Sequence, residues 1–178
     1  MKKIENLKNL NYKMKNLIST FLFISFTISC GIYSFNGASI SKETKTITVK
    51  YFSNSASTIQ PILSQLMTEK LKDYFTQQTN LSIIEDDGDL IFEGDITKYE
   101  IKPMAIQSNE IAGQNRLTIS VKVDFKNNYE DEFNFSHTFS RYKDYESDQN
   151  FSEIEEVLMN EITNEIIEDI FNKSVVNW

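Results

Sequence analysis

The residue types that most often carry enzyme chemistry are scarce in this 178-residue chain, which contains one histidine, His137, and one cysteine, Cys30. A nucleophile activated by histidine needs an orienting carboxylate close by in space. His137 instead shares the phase of Phe133, Phe135 and Phe139 on an alternating segment, which favours a packed strand position. One histidine and one cysteine cannot build a zinc cluster. We therefore predict a protein without enzymatic activity and without a metal or cofactor.

Two acidic features could still do chemistry. Asp86, Asp87 and Asp89 surround Gly88 as in a calcium loop, but the apolar run Leu90–Phe92 occupies positions that such a loop needs for ligands. We expect a solvated turn in which Gly88 supplies a positive φ angle. The second feature is a row of carboxylates near the C-terminus, which helical spacing assigns to the solvated side of an amphipathic helix. Its members are Glu153, Glu155, Glu156, Glu161, Glu165, Glu168 and Asp169.

The N-terminal segment is typical of an export signal. Lys13 and Lys15 precede the apolar stretch Leu17–Ile28. This stretch is too short to cross the hydrocarbon core of a membrane, which needs about 20 apolar residues. Residues 1–29 are therefore predicted to be a lipoprotein signal peptide, and residues 30–43 a lipidated tether. Translation could begin at Met1 or at Met14, because the first 13 residues add nothing that a signal needs.

Cys30 lies where a lipoprotein signal places its acylated cysteine. Thr27-Ile28-Ser29 precedes it and Gly31 follows it, although leucine is usual at the position of Thr27. The alternatives are a conventional cleavage site with an accidental cysteine, or an uncut anchor. No acidic cluster follows Cys30, so a periplasm-facing location is favoured over the cell surface.

The charge of the chain excludes some partners. After residue 30 the chain carries 13 basic and 25 acidic residues, a net charge of −12. Such a domain is repelled by nucleic-acid phosphate and by an anionic membrane surface. An acyl anchor would overcome the second repulsion.

Periodicity outlines the domain at 44–178. Residues 44–52 alternate as a strand, and apolar residues from Ile59 to Phe75 recur at helical spacing, with residues 54–57 supplying a cap and Pro61 in the first turn. Residues 81–85 begin another extended segment. Residues 90–101 alternate with a phase change near Lys98, which indicates a bulge.

The second half of the domain follows the same pattern. Residues 102–116 are predicted to form a long polar loop, 117–125 and 133–139 a hairpin, and 154–171 a helix capped by Ser152 and Glu155. The predicted fold is α+β, with two helices packed on one face of a four-stranded, mixed but mostly antiparallel sheet.

These segments resemble the LptE family in its Bacteroidota-type form. The resemblance runs along almost the whole predicted mature chain. It rests on YSFNGASI at 33–40, TITVKYFSNSAS at 46–57, QPILSQLMTEKLKDYF at 60–75, GDLIFEGDITKYEIKP at 88–103, NRLTISVKVDF at 115–125, FSRYKDY at 139–145 and EDIFNKSVVNW at 168–178.

The resemblance implies an outer-membrane lipoprotein that partners the LptD β-barrel, plugs its lumen, supports its assembly and helps lipopolysaccharide reach the outer leaflet. The cations Lys98, Lys102 and Arg116 are candidate contacts for the barrel or for lipid phosphates. The alternative is that these cations are only the solvated charges of a loop and contact no partner. The alternative function is a periplasmic lipoprotein that binds another envelope protein or a glycan.

Overall fold

The computed structural model describes residues 40–104 and 113–176, and its elements follow the order β-β-α-β-β-β-β-α. The elements are β1 (Thr46–Val49), β2 (Ser53–Asn54), α1 (Leu63–Gln78), β3 (Ser82–Ile83), β4 (Leu90–Pro103), β5 (Gln114–Asn127), β6 (Phe135–Glu146) and α2 (Phe151–Phe171). A 3-10 turn, Asp131–Phe133, precedes β6, and a π-helical turn, Asn172–Val176, extends α2. Residues 1–39, which include Cys30 and the predicted signal, lie outside the described residues.

The sheet is mixed, with the order β3-β1-β4-β5-β6 and with β2 paired to β4. β1 runs parallel to β3 and β4, whereas β4, β5 and β6 are antiparallel neighbours. The predicted α+β class is confirmed, but the prediction of four strands was wrong because the sheet has six. β3 lies in the extended segment predicted at 81–85, whereas β2 has only two residues, and alternation is not detectable over so short a length.

Aromatic rings fill the space between the sheet and the helices. The ring of Phe75 on α1 lies 5.1 Å from that of Phe92 on β4 and 5.1 Å from that of Phe171 on α2. Phe92 in turn lies 4.7 Å from Phe125 on β5. These contacts place both helices on one face of the sheet, as predicted.

The phase change predicted near Lys98 is a β-bulge. The register between β4 and β5 shifts between Ile96 and Lys98. Ile96 is buried before the shift, and Tyr99 is buried after it. The extra residue at the bulge moves the buried positions of β4 from even to odd numbers while they stay on the face that the helices cover.

Helix α1 begins later than predicted. It starts at Leu63, and Ile62 caps it without a side-chain hydrogen bond, so Pro61 precedes the helix. Ile59 and Ile62 were assigned to the core, but they are 63% and 53% exposed. Residues 55–62 instead form an irregular segment that is held by polar contacts, including the hydrogen bond from Gln60 Nε2 to Glu155 Oε1 (2.8 Å).

The capping box predicted for α2 was also wrong. Asn150 is the N-cap, and its side chain accepts a hydrogen bond from the backbone N–H of Ser152. Glu155 accepts hydrogen bonds from Tyr99 Oη (2.6 Å) and from Gln60 instead. Its carboxylate joins β4, α2 and the segment before α1.

Two further predictions are corrected by the structure. His137 has the predicted register with Phe135 and Phe139, but it is exposed, and its ring packs edge-on against Phe139 at 4.7 Å. β6 is the last strand of the sheet, so a side chain there is covered from one side only. Phe133 lies in the 3-10 turn rather than in the strand.

Gly88 does not adopt the positive φ angle predicted for it, because Asp87 takes that conformation, with φ 56°. A Cβ atom at Gly88 would lie 2.6 Å from the backbone nitrogen of Thr48. Glycine is therefore required for close approach to β1. The turn is also not merely solvated, since the carboxylate of Asp89 accepts the backbone N–H groups of Lys45 (2.8 Å) and Thr46 (2.9 Å).

A glycine in β4 provides a test of this packing. A Cβ atom at Gly94 would lie 2.1 to 2.5 Å from three ring atoms of Phe52, which is fully buried. We expect Gly94→Ala to lower the free energy of unfolding by about 1–3 kcal/mol through overpacking. Gly113→Ala is the matched control, because its nearest contact is the Ser147 hydroxyl at 3.3 Å. Urea unfolding curves measure both variants, and equal stabilities would contradict the packing described here.

Candidate interaction surface

The face of the sheet that lies opposite the two helices, here called the open face, is the candidate interaction surface. It is built by the alternate residues of the three long strands that do not enter the core. Lys98, Glu100 and Lys102 lie on β4, Arg116, Thr118, Ser120, Lys122 and Asp124 on β5, and Ser136, Thr138, Ser140, Tyr142 and Asp144 on β6.

The three cations predicted to contact a partner meet on this face. Lys102 and Arg116 were assigned to the ends of a long loop, but both lie in strands and are directly paired. Lys98 pairs with Ser120, four residue pairs away on the same face. The connection between the strands is therefore shorter than predicted, running from 104 to 113, and residues 105–112 lie outside the described part. We call this end of the sheet the tip.

Each of the three cations has an acidic neighbour. Glu100 accepts Lys102 at 3.0 Å and lies 3.7 Å from Lys98. Arg116 binds Asp144 through two parallel hydrogen bonds, from Nε to Oδ1 (2.7 Å) and from Nη2 to Oδ2 (2.8 Å). The cluster therefore holds three positive and two negative charges.

Arg116 is also held by an aromatic ring. Its guanidinium carbon lies 3.6 Å from the centroid of the Tyr142 ring, in a cation–π contact. The fixed plane of the guanidinium suits both the carboxylate and the ring. Arg116, Tyr142 and Asp144 thus form a preorganised platform on adjacent strands, and Tyr142 is 50% exposed.

Titration follows these contacts. The hydrogen bonds from Arg116 lower the pKa of Asp144, and the carboxylate of Asp144 raises the pKa of Arg116 in return. The hydrogen bond from Lys102, together with the charges of Lys102 and Lys98, lowers the pKa of Glu100. Glu100, Asp144 and Arg116 are therefore charged at neutral pH.

Away from the tip, the open face is built from hydroxyl groups and further paired charges. Ser120 and Ser140 share a hydrogen bond of 2.9 Å between their hydroxyl oxygens. Lys122 lies 3.4 Å from Asp124, and Lys50 is paired with Glu93. The charges on this face nearly cancel, although the chain as a whole carries −8.

The carboxylates of α2 have more specific contacts than the predicted solvated face. Arg141 on β6 binds Asp169 through two hydrogen bonds of 2.6 and 2.7 Å. Lys143 lies 2.7 Å from Glu165 and 3.5 Å from Glu161. A clue was present in the sequence, because Arg141 and Lys143 share the phase of buried Phe139 and Tyr145. Long cations in that phase must reach the helix that covers the strand.

Among residues 40–104 and 113–176, no group of three or more His, Cys, Asp or Glu side chains could hold a metal ion. The helices of this part of the chain are also too short or too polar to cross a membrane.

Comparison with known proteins places this geometry in a family. A family model described as LptE, lipopolysaccharide-assembly, matches residues 44–174. No curated protein matches the chain by sequence.

Two solved structures share the fold at low sequence identity, and a third is more distantly similar. A neuraminyllactose-binding hemagglutinin homolog from Helicobacter pylori is 10% identical, with a TM-score of 0.53 over 79% of this chain and 88% of the other. A hypothetical protein from Chlamydia trachomatis is 7% identical, with a TM-score of 0.50 over 74% and 98%. The rare lipoprotein B from Shewanella oneidensis is 13% identical, with a TM-score of 0.42 over 71% and 93%.

The ion pair at the tip makes stability depend on pH. A carboxyl group whose folded-state pKa is lowered contributes stability above its unfolded pKa, about 3.9 for Asp, and loses it as pH falls through the folded value. We expect Asp144→Asn to destabilise the domain fully above about pH 5 and progressively less below about pH 4. Urea unfolding at several pH values measures the difference, with Asp148→Asn, in an exposed turn, as the control. A loss of unfolding free energy in Asp144→Asn that did not change with pH would contradict the ion pair between Arg116 and Asp144.

Proposed function

The chain belongs to the LptE family of non-enzymatic lipopolysaccharide-assembly lipoproteins, and on that premise we propose that it partners an LptD-type β-barrel of the outer membrane. In this role it plugs the barrel lumen, assists barrel assembly and helps lipopolysaccharide enter the outer leaflet. The domain faces the periplasm and the lumen.

The observation that carries this proposal is the open face of the sheet. The interior of an outer-membrane barrel is polar and often filled with water. A plug in such a lumen must bring polar groups against the wall without leaving unpaired charges, because these are costly to desolvate. The open face meets this requirement, since Lys98 and Lys102 are near Glu100 and Arg116 is bound to Asp144.

The anchor belongs to the same proposal. Acylation of Cys30 would hold the acidic domain at the outer membrane, since each buried CH₂ group of an acyl chain contributes about 0.8 kcal/mol. Ile40, where the described chain begins, packs partly buried against the core, and Leu81, next to β3, does the same. β4 then runs from Leu90 to Pro103, over roughly 43 Å at about 3.3 Å per residue. The tip therefore lies far along the sheet from the end where the tether joins.

Lipopolysaccharide contact is proposed for Lys98, Lys102 and Arg116. Their cluster carries one more positive than negative charge, which suits a phosphate group. Lys102 and Arg116 differ in how available they are to a phosphate group. The side chain of Lys102 is 65% exposed, whereas that of Arg116 is 28% exposed and already contacts Asp144 and Tyr142. Lys102 is thus the first contact, and Arg116 positions the surface.

A second candidate function is glycan binding by an envelope lipoprotein. Tyr142 offers a half-exposed ring next to hydrogen-bonding groups, as glycan platforms do. One structural neighbour, with a TM-score of 0.53, is a homolog of a neuraminyllactose-binding hemagglutinin. At 10% identity that likeness shows a common fold alone. Binding of the purified domain to free glycans, without a barrel partner, would support this alternative.

The proposal is tested by purifying the full chain with an affinity tag after Trp178 from detergent-solubilised membranes. We expect a large outer-membrane β-barrel to co-purify in a 1:1 ratio, as judged by mass spectrometry. Recovery of the lipoprotein alone, under conditions that keep other barrel complexes intact, would contradict the barrel partnership.

Replacement of Cys30 tests the anchor separately. We expect the mature wild-type protein to begin at Cys30 with the added mass of acyl chains. Cys30→Ser should lack that mass, and the part of it that is not bound to the barrel should leave the membrane fraction, because the acidic domain has no attraction for an anionic surface of its own. Intact-mass spectrometry and membrane fractionation measure both effects. A Cys30→Ser variant that kept the acyl mass would contradict the lipidation site.

Charge reversal tests the lipid contact. We expect Lys102→Glu to weaken binding of lipopolysaccharide to the purified complex by several-fold, because it turns the cluster from net positive to net negative. Lys70→Glu is the control, since Lys70 is a cation of the helix layer that contacts Asn164. Binding is measured by retention of labelled lipopolysaccharide. Unchanged retention by Lys102→Glu would leave these cations with a structural role only.

A further inference from the structure

The two edges of the sheet are built differently. One edge ends in β3, which has only two residues. The other edge is β6, a strand of twelve residues whose register with β5 runs without a break from Phe135 to Glu146. Among the described residues, only β5 pairs with β6. Long uncovered edges are templates for a further strand, and proteins usually protect them.

A backbone hydrogen bond beyond the end of β6 fixes the direction of its peptide groups. The N–H of Ser147 donates to the carbonyl of Gly113 at 2.9 Å, so this pair faces inward between the strands. In an antiparallel ladder the peptide groups alternate in direction from one residue to the next. The N–H and C=O groups of the even-numbered residues of β6 therefore point outward. They belong to Ser136, Thr138, Ser140, Tyr142, Asp144 and Glu146.

The usual protections are missing from this edge. β6 contains no proline, no glycine and no bulge. Its two long cations, Arg141 and Lys143, could have guarded the edge, but they are turned onto α2 by Asp169, Glu165 and Glu161. The four even-numbered residues from 136 to 142 are uncharged. Within the described ranges, no second strand therefore covers the backbone of the central part of β6.

Helix α2 places negative charge beside this edge. It follows β6 along its length, since Tyr145 contacts Phe151 near one end and Arg141 binds Asp169 near the other. α2 carries seven carboxylates and no lysine or arginine. Glu161, Glu165 and Asp169 meet β6, and Arg141 and Lys143 offset two of their three charges. Glu155 is turned away, towards Tyr99 and Gln60. A strand added to β6 would have every second side chain beside the carboxylates of α2.

We propose that the outer edge of β6 binds an extended segment of a partner protein by strand addition, and that this segment carries lysine or arginine at alternate positions. Its backbone would pair with the outward groups of Thr138, Ser140 and Tyr142, and its basic side chains would lie beside α2. A second copy of this chain is a poor occupant, because pairing two β6 edges brings two acidic helices together. The proposal does not depend on the barrel partnership.

Site-specific photo-crosslinking of the full chain in its native membranes tests this proposal. A photoreactive phenylalanine analogue is placed at Thr138, Ser140 or Tyr142, with Thr76, an exposed residue of α1, as the control site. The crosslinked peptides are sequenced by mass spectrometry. We expect the three positions to reach one segment of one protein, at sites two residues apart, with basic residues between them. Thr76 should not reach that segment.

Proline variants separate backbone pairing from side-chain contact. Ser140→Pro removes an outward N–H without removing a backbone hydrogen bond to β5, whereas Ser140→Ala keeps the edge intact. Both variants lose the hydroxyl contact with Ser120, so that loss is common to the pair. With the photoreactive residue at Tyr142, we expect Ser140→Pro to abolish the crosslink and Ser140→Ala to preserve it. Thr138→Pro is the second variant if Ser140→Pro does not fold, as judged by its thermal unfolding.

Three outcomes would overturn the proposal. The first is a crosslink to a second copy of the chain. The second is crosslinks that are scattered over several segments or absent at all three sites. The third is crosslinks to sites two residues apart in one segment that survive both proline substitutions. The identity of the crosslinked protein is a separate result. A registered basic segment from a protein other than a β-barrel would support this inference while counting against the barrel partnership.

Discussion

The ring of Phe75 on α1 joins the sheet and both helices. It contacts Phe92 of the sheet and Phe171 of α2, so α1 and α2 must share one face of the sheet. Once the apolar side chains are buried on that side, no helix of residues 40–104 and 113–176 covers the other face of β4, β5 and β6. Its groups can only be satisfied by one another, by water or by a partner. The pairing of Arg116 with Asp144 and Tyr142 follows from this constraint.

The same constraint links the fold to the family role. Membership of the LptE family rests on the match over residues 44–174, and the proposed place in a barrel lumen rests on what the fold leaves uncovered. The open face presents matched charges and hydroxyl groups although the whole chain is strongly acidic. The acidity is concentrated on α2, beside the free edge of β6. One molecule thus offers two chemically different surfaces.

Local pattern predicted the parts of the fold that alternate over many residues. The strand around Val121 and the bulge near Lys98 were predicted correctly because their side chains switch faces in the sequence itself. The start of α1 could not be predicted, because Ile59 and Ile62 keep helical spacing in the sequence. The segment that contains them is irregular and is tied instead by a contact distant in sequence, from Gln60 to Glu155. Similarly, Lys102 and Arg116 were recognised as candidates, but their pairing across two strands depends on register. Register is set by tertiary packing.

The most direct test of the account compares two tyrosines of equal exposure. Tyr142 lies on the open face and Tyr129 lies in the turn before β6, and each is 50% exposed in the isolated chain. Hydroxyl-radical labelling is measured in native membranes and again on the purified protein. If the open face is buried against a partner, the membranes should protect Tyr142 several-fold and Tyr129 much less. Equal labelling of Tyr142 in both preparations would contradict the claim that this face is the working surface of the protein.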